Sequence, residues 1–174
     1  ADLRRILDAP NLELHAVMTP DESILAVTLV ALEGGLTPEL CEELYRGGRR
    51  LRGHALPETL VSHLSHERAG MLRMCRSVRI ATHPDLRRAG LATMLVEHVH
   101  EHYSPDLFGT VFGATPELLA FRRSVGYELV RVSASRGSRT GEPSATMIYP
   151  VSDDAKALFV RLREELAREL PLQL

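Results

Sequence analysis

The sequence predicts a single domain of the α/β class in its α+β form, strands and helices packed as one unit. Three observations carry this. Ser77 to Tyr103 reads as a β-branched strand, an arginine- and glycine-containing loop and an amphipathic helix, in that order. Two stretches, 11–32 and 127–149, read as antiparallel hairpins. Thr-Pro-Glu opens a helical pattern at Thr37 and again at Thr115.

Asp2 to Asp8 reads as a short helix through Leu3, Ile6 and Leu7, stopped by Pro10. Asn11 to Met18 alternates through Leu12, Leu14, Ala16 and Met18, the period of a strand. Thr19-Pro20-Asp21-Glu22 is turn chemistry, and the apolar strand Ser23 to Leu32 follows, ended by Gly34-Gly35. Thr37-Pro38-Glu39 then supplies a capping hydroxyl, a proline at the first helical position and an acid near the positive helix end. Leu40, Cys41 and Leu44 form that helix's apolar side. Leu56-Pro57-Glu58 starts another helix, with Leu60, Val61 and Leu64 as its stripe and His63 and His66 along it.

In the central unit the strand Ser77 to Thr82 meets the turn His83-Pro84-Asp85. Leu91, Ala92, Leu95, Val96, Val99 and Tyr103 fall on one face of the helix beyond; Glu97, His100 and Glu101 are expected to face away. Asp106 to Phe112 reads as a strand. The helix from Thr115 is expected to bury Leu118, Leu119, Phe121 and Val125, and Gly126 ends it. Tyr127 to Val132 and Ser144 to Tyr149 form a hairpin around a polar loop, 135–143. Ser152-Asp153-Asp154 caps a last helix whose stripe is Ala155, Leu158, Phe159, Leu162 and Leu166.

Composition narrows the function classes. At 174 residues the chain can bury a sizeable core. Its 44% hydrophobic and 25% charged residues are globular values, which excludes a disordered or collagen-like chain. Cys41 and Cys75 form no close-spaced pair, so neither a zinc site nor a disulfide framework is expected. No apolar run approaches the ~20 residues that span a bilayer, and a cytoplasmic location is expected. The net charge of −2 leaves nucleic-acid contact to a local patch. Arg46, Arg49, Arg50 and Arg52 form one candidate patch, and Arg136 and Arg139 another. Arginines without interleaved aromatics suit phosphate contact rather than base reading. His54, His63 and His66 lack an acidic third ligand in pattern, so no metal is expected; as a proton acceptor, histidine suits neutral pH.

The loop carries the clearest chemistry. A helix start leaves backbone N–H groups unpaired at the positive end of the dipole. Gly90 has no Cβ, so a phosphate oxygen can come close to the main chain. The pattern Arg87-x-x-Gly90-x-Ala92 resembles the coenzyme A pyrophosphate loop of the GNAT acetyltransferase superfamily. Several further stretches resemble the acetyltransferase domain of the tRNA(Met) cytidine acetyltransferase family: Asp2-Leu3-Arg4-Arg5-x-Leu7-Asp8-Ala9-Pro10, Arg52-Gly53-His54-x-Leu56-Pro57, Arg79-Ile80-Ala81-x-His83-Pro84, Phe112-Gly113-x-Thr115-Pro116-Glu117-Leu118 and Ala145-x-Met147-x-x-Pro150-x-Ser152.

The resemblance implies a GNAT fold over residues 1–174, a mixed, mostly antiparallel sheet flanked by helices. It implies direct transfer of acetyl from acetyl-CoA to the exocyclic amine of the wobble cytidine of elongator tRNA(Met), with tRNA as partner. Ile80, Ala81 and Thr82 would hold the pantetheine arm, and Arg87, Arg88, Ala89, Gly90, Leu91, Ala92 and Thr93 the pyrophosphate. Glu117 is the family's acidic contact. His54, His63 and Glu117 are candidates for the proton acceptor, and a main-chain N–H near Ala81 or Thr82 for stabilising the carbonyl oxyanion. The family's members carry an ATP-driven, helicase-like module; the chain has no Gly-x-x-x-x-Gly-Lys-Ser/Thr, so ATP is expected only if such a module accompanies it, and the chain is expected to be an excised domain or a free-standing relative. Two departures stand out. Ser124 replaces an expected arginine, and Arg122 stands where many GNAT enzymes have a tyrosine that protonates the leaving thiolate. The alternatives are a GNAT enzyme for a small-molecule or protein amine, and a non-catalytic domain binding coenzyme A or RNA.

Overall fold

The computed structural model describes residues 9–136 and 141–169. The helix expected over 2–8 and Arg139 lie outside them. Six strands form one sheet: β1 (Leu12–Met18), β2 (Ile24–Gly34), β3 (Arg73–Thr82), β4 (Leu107–Gly113), β5 (Glu128–Arg136) and β6 (Pro143–Pro150), in the spatial order β1-β2-β3-β4-β6-β5. Only β3 and β4 are parallel neighbours; every other pair is antiparallel. The sheet is therefore mixed and mostly antiparallel. Its parallel step requires a crossover, and α3 (Leu91–His102) supplies it.

The remaining helices follow from their caps. In α1 (Pro38–Tyr45) the Thr37 hydroxyl accepts the N–H of Leu40, and in α4 (Pro116–Ser124) Thr115 accepts that of Leu118. α2 (Ala55–Glu58) is shorter than its sequence pattern suggests, because the chain widens into a π turn over Thr59–His63. α5 (Asp153–Glu169) buries Ala155, Leu158, Leu162 and Leu166. Leu158 and Leu162 join Leu56, Leu60, Met74, Leu107 and Ile148 on one face of the sheet. Each fully buried leucine contributes about 1.5–3 kcal/mol. On the other face Val96 and Val99 of α3 pack with Val30, Cys75, Phe108, Tyr127 and Met147.

Two expected orientations are corrected. His100 does not face away from the core: its ring stacks on Tyr149 and lies 4.5 Å from Phe108. It follows the wrap of α3 over the β4–β6 side of the sheet. In α4 Leu118 is 44% exposed and the buried residue is Arg122, at 7%.

A buried polar knot ties the helical insertion to the sheet. Glu33 of β2 is 4% exposed. One carboxylate oxygen accepts Arg76 Nε at 2.7 Å and the other the N–H of Leu56 at 2.8 Å, so Glu33 serves the start of α2, where the preceding residue His54 provides no side-chain cap.

β3 also contains a bulge. Leu29 faces Arg79 and Val30 faces Ser77, which leaves Val78 as an extra residue. Side chains alternate along a strand, so Cys75 and Ile80, five apart, would point to opposite faces of a regular one. The extra residue lets both enter the same core cluster.

The histidines give a testable acid response. His15 Nε2 bonds Tyr103 Oη at 2.8 Å, and His98 lies 3.2 Å from His15 Nδ1. Burial, then the neighbouring His98 and His102, hold His15 below the usual imidazole range, against the pull of Glu13. Burial and then Arg122 lower His100 as well. A base depressed in the folded state contributes stability that is complete above its unfolded value, about 6.5, and is lost as pH falls through the folded value. The melting temperature is therefore expected to fall between pH 7.5 and 5.5, and to fall less in a His15→Gln/His100→Gln variant. Calorimetric scans at both pH values check this; equal slopes for both proteins would refute it.

Candidate functional site

The site is built where two strands part. β3 and β4 pair only over Met74–Ser77 and Leu107–Thr110. Beyond that point β3 continues to Thr82 beside β2, and β4 continues to Gly113 beside β6. The result is a wedge-shaped gap, its vertex marked by the Thr110 hydroxyl donating to the Ser77 carbonyl. The bulge at Val78 bends β3 just past that vertex.

The bulge also resets which backbone groups face the gap. The N–H of His83 donates to Leu25 and the Arg79 carbonyl accepts from Thr28, both on the β2 side. Strand backbones alternate, so the amides of Ile80 and Thr82 turn the other way, toward β4, where no ladder meets them. They form an open sheet edge, suited to an extended chain bearing amides.

At the mouth of the gap lies a cavity of about 580 Å³. Thr82 borders it from β3, and Leu86, Arg88 and Gly90 from the loop. Leu91, Ala92 and Thr93 border it from the first turn of α3, and Glu117, Ala120 and Phe121 from α4. α3 differs from α1 and α4 at its start. Its N-cap is Gly90, at φ +83°, with no side chain accepting from the first turn. The first-turn amides are left for a ligand, with the positive end of the helix dipole behind them. A Cβ built on Gly90 would meet nothing within 4 Å, so that side is open. Arg88 holds a left-handed backbone at φ +66°, which non-glycine residues seldom adopt; Glu22 and Ser65, away from the cavity, share it.

The expected residues divide clearly. Thr82, Arg88, Gly90, Leu91, Ala92, Thr93 and Glu117 all line the cavity. Ile80 packs into the core beside α3 and offers only its backbone; Ala81, Arg87 and Ala89 are exposed and do not line the cavity. Leu86, Ala120 and Phe121 were not anticipated. The last two follow Glu117 by three and four residues and so share its helix face, a spacing that would have found them. Of the three acceptor candidates the structure brings only Glu117 to the cavity. His54 lies elsewhere: its Nδ1 accepts the N–H of Gly34 at 3.1 Å. Gly34 pairs with Arg73, nine residues from Thr82 along β3, roughly 30 Å away. His63 ends the π turn in the helical insertion, exposed, and does not line the cavity.

The basic loop Arg46 to Arg52 is also remote. Arg46, Arg49 and Arg50 pair with Glu42, Glu43 and Glu58, and Arg52 lies beside Gly53 in the same loop. This loop is tethered to the Gly34 end of β2, through Asn11 bonding the carbonyls of Gly53 and Leu32. Arg136 closes β5. A second cavity, about 650 Å³, opens between α5 and the 3-10 turn Glu67–Met71, without any group from the loop or the gap.

Of the departures, Ser124 is exposed and donates to the carbonyl of Phe121 at 2.8 Å. Arg122 turns inward, its Nη2 donating to Ser77 Oγ at 2.9 Å. Among the described residues no helix is long and apolar enough to cross a membrane.

The family described as GNAT acetyltransferase 2 matches residues 1–108. The chain is 42% identical over 166 residues to a tRNA(Met) cytidine acetyltransferase, TmcA, of Haloarcula marismortui, which covers 94% of this chain and 21% of that protein. A TmcA of Nitrosococcus halophilus is 39% identical, over 99% of this chain and 24% of that protein. The chain thus spans about a fifth to a quarter of the length of these relatives. Among solved structures, Naa20 of Chaetomium thermophilum in complex with a bisubstrate analogue superposes with a TM-score of 0.57 at 18% identity, covering 82% of this chain and 68% of that one. NAA60 of Arabidopsis thaliana, also with a bisubstrate analogue, gives 0.57 at 11%, covering 87% and 83%. At these identities the likeness is one of fold.

Proposed function

The chain belongs to the GNAT acetyltransferase 2 family, and from that premise we propose that it transfers acetyl from acetyl-CoA to the exocyclic amine of a cytidine in tRNA. The observation that carries the reading is the gap between β3 and β4, with an uncapped helix start at its mouth. The first-turn amides of α3, with Arg87 and Arg88, bind the diphosphate. The pantetheine arm lies along β3 and pairs with the amides of Ile80 and Thr82. Much of the rate comes from holding thioester and amine together.

A cytidine amine is neutral at pH 7 and attacks without prior deprotonation; its proton leaves as the tetrahedral intermediate collapses. Glu117, at the cavity wall beside the diphosphate loop, is the acidic contact to the coenzyme in this reading, and the proton passes to solvent water. The acceptor base is supported by the name of the relatives, which are 30–43% identical over at least 90% of this chain. That name gives tRNA(Met) and cytidine; elongator tRNA(Met) modified at its wobble position is the substrate implied by the resemblance of the motifs. The basic loop, Arg46 to Arg52, is assigned to tRNA backbone contact at a distance from the reaction, and Arg136 and Arg139 are assigned to tRNA backbone contact as well. The reading takes the chain as one acetyltransferase domain, and ATP has a role in it only where a helicase-like module accompanies that domain.

A second reading, a different amine as acceptor, is favoured by Ser124 standing where the family has an arginine. The test is acetyl transfer from radiolabelled acetyl-CoA to tRNA(Met) transcript, polyamines and amino-terminal peptides. Label in tRNA that maps to cytidine supports the first reading. Label only in another amine supports the second, and coenzyme binding without any product points to a binding module.

A further inference from the structure

Arg122 is a buried guanidinium, 7% exposed, with one hydrogen bond among the described residues, to Ser77 Oγ. Its Nη1 is buried without a partner. Its other neighbours are the rings of Phe121 and Tyr127, each 5.5 Å from the guanidinium carbon. Among the described residues no carboxylate forms an ion pair with it. A cation buried in this way is costly unless an anion joins it at some stage of the working cycle.

Its position indicates which anion. Ser77 is the last residue of β3 paired to β4, so the guanidinium is tied to the vertex of the gap. Thr82, at the cavity, lies four β2 partners from Ser77 across the bulge, about 13 Å of strand. An arm that enters beside Thr82 and pairs along β3 brings its far end, the thioester, toward that vertex.

We propose that Arg122 supplies the positive field that takes up the negative charge of the departing coenzyme A thiolate. The inference rests on the acetyl-transfer reading. In the step itself the acceptor nitrogen attacks the thioester carbonyl carbon and a C–N bond forms. The C–S bond then breaks with its electron pair going to sulfur, and the proton lost by nitrogen passes to solvent water in the open gap. No proton donor is required at sulfur, because a fixed cation in a low-dielectric site lowers the energy of the thiolate itself. Arg122 touches Ser77 rather than sulfur. It is a positioning residue, acting through its field and through the Ser77 hydroxyl that it orients.

The test needs no acetyl acceptor. Coenzyme A is bound to the protein and its thiol titrated by the ultraviolet absorbance of the thiolate. Cys75, the buried thiol in the same core, is pushed up to about 12, chiefly by burial, and stays protonated through the range used. The bound thiol is expected to ionise at least about one pH unit below the free coenzyme, since an opposite charge within a few ångströms shifts a group by about 1–3 units. Arg122→Met should abolish the difference and Arg122→Lys retain part of it, with coenzyme affinity changed less than threefold in both. A bound thiol that titrates in the unmodified protein as it does in free solution would overturn the inference alone, whether or not the variants fold. Failure of the unmodified protein to bind coenzyme A would overturn it together with the acetyl-transfer reading.

Discussion

Gly90→Glu is expected to weaken coenzyme A binding by two to three orders of magnitude while the protein stays folded. Gly90 is the N-cap of α3 and faces the cavity with open space where a Cβ would sit. A glutamate there sets a carboxylate against the diphosphate. Two like charges about 4 Å apart at an effective dielectric near 20 repel by about 4 kcal/mol. The backbone cost is smaller: a side chain at φ +83° costs about 1–2 kcal/mol, or a melting temperature lower by about 2–8 °C. Gly90→Ala bears the same backbone cost without the charge, and so separates the two effects. Isothermal calorimetry with coenzyme A decides the matter, and affinity equal to that of the unmodified protein would remove the loop from the binding site.

The second large effect concerns stability and leaves the cavity untouched. Glu33→Ala leaves Arg76 without its partner and the N–H of Leu56 without an acceptor, both in a packed interior. Removing one member of a buried ion pair costs about 3–5 kcal/mol. The urea midpoint should fall accordingly, and Glu33→Gln, which keeps an acceptor for Leu56, should lose less. Coenzyme affinity should be unchanged, since Glu33 pairs with Met74 at the end of β3 remote from Thr82. A loss below about 1 kcal/mol would mean that water reaches the pair and screens it.

What the sequence revealed was the local part of this design. Alternation placed β1, an apolar run placed β2, and hydroxyl-Pro-Glu starts placed α1 and α4. The strand, loop and helix around Gly90 were readable because one segment carries all three. Features made by distant segments were not. Periodicity put His100 on the solvent side of α3, yet β4, β5 and β6 bring Phe108, Tyr127 and Tyr149 against it. His54 had the chemistry of a base, but its nitrogen is used by Gly34, twenty residues away. Arg122 read as a departure at a position where many GNAT enzymes have a tyrosine, and only its bond to Ser77, 45 residues earlier, shows it turned into the core. The bulge at Val78 has no local signature either, because it exists only relative to β2.

That bulge carries a practical consequence. In the proposed reading the coenzyme's arm is recognised by peptide links rather than side chains at Ile80 and Thr82. An alanine scan across this segment would be almost blind to the contact, since every substituted chain keeps the same amides. Backbone ester replacement, one link at a time by chemical ligation, is the method that can see it.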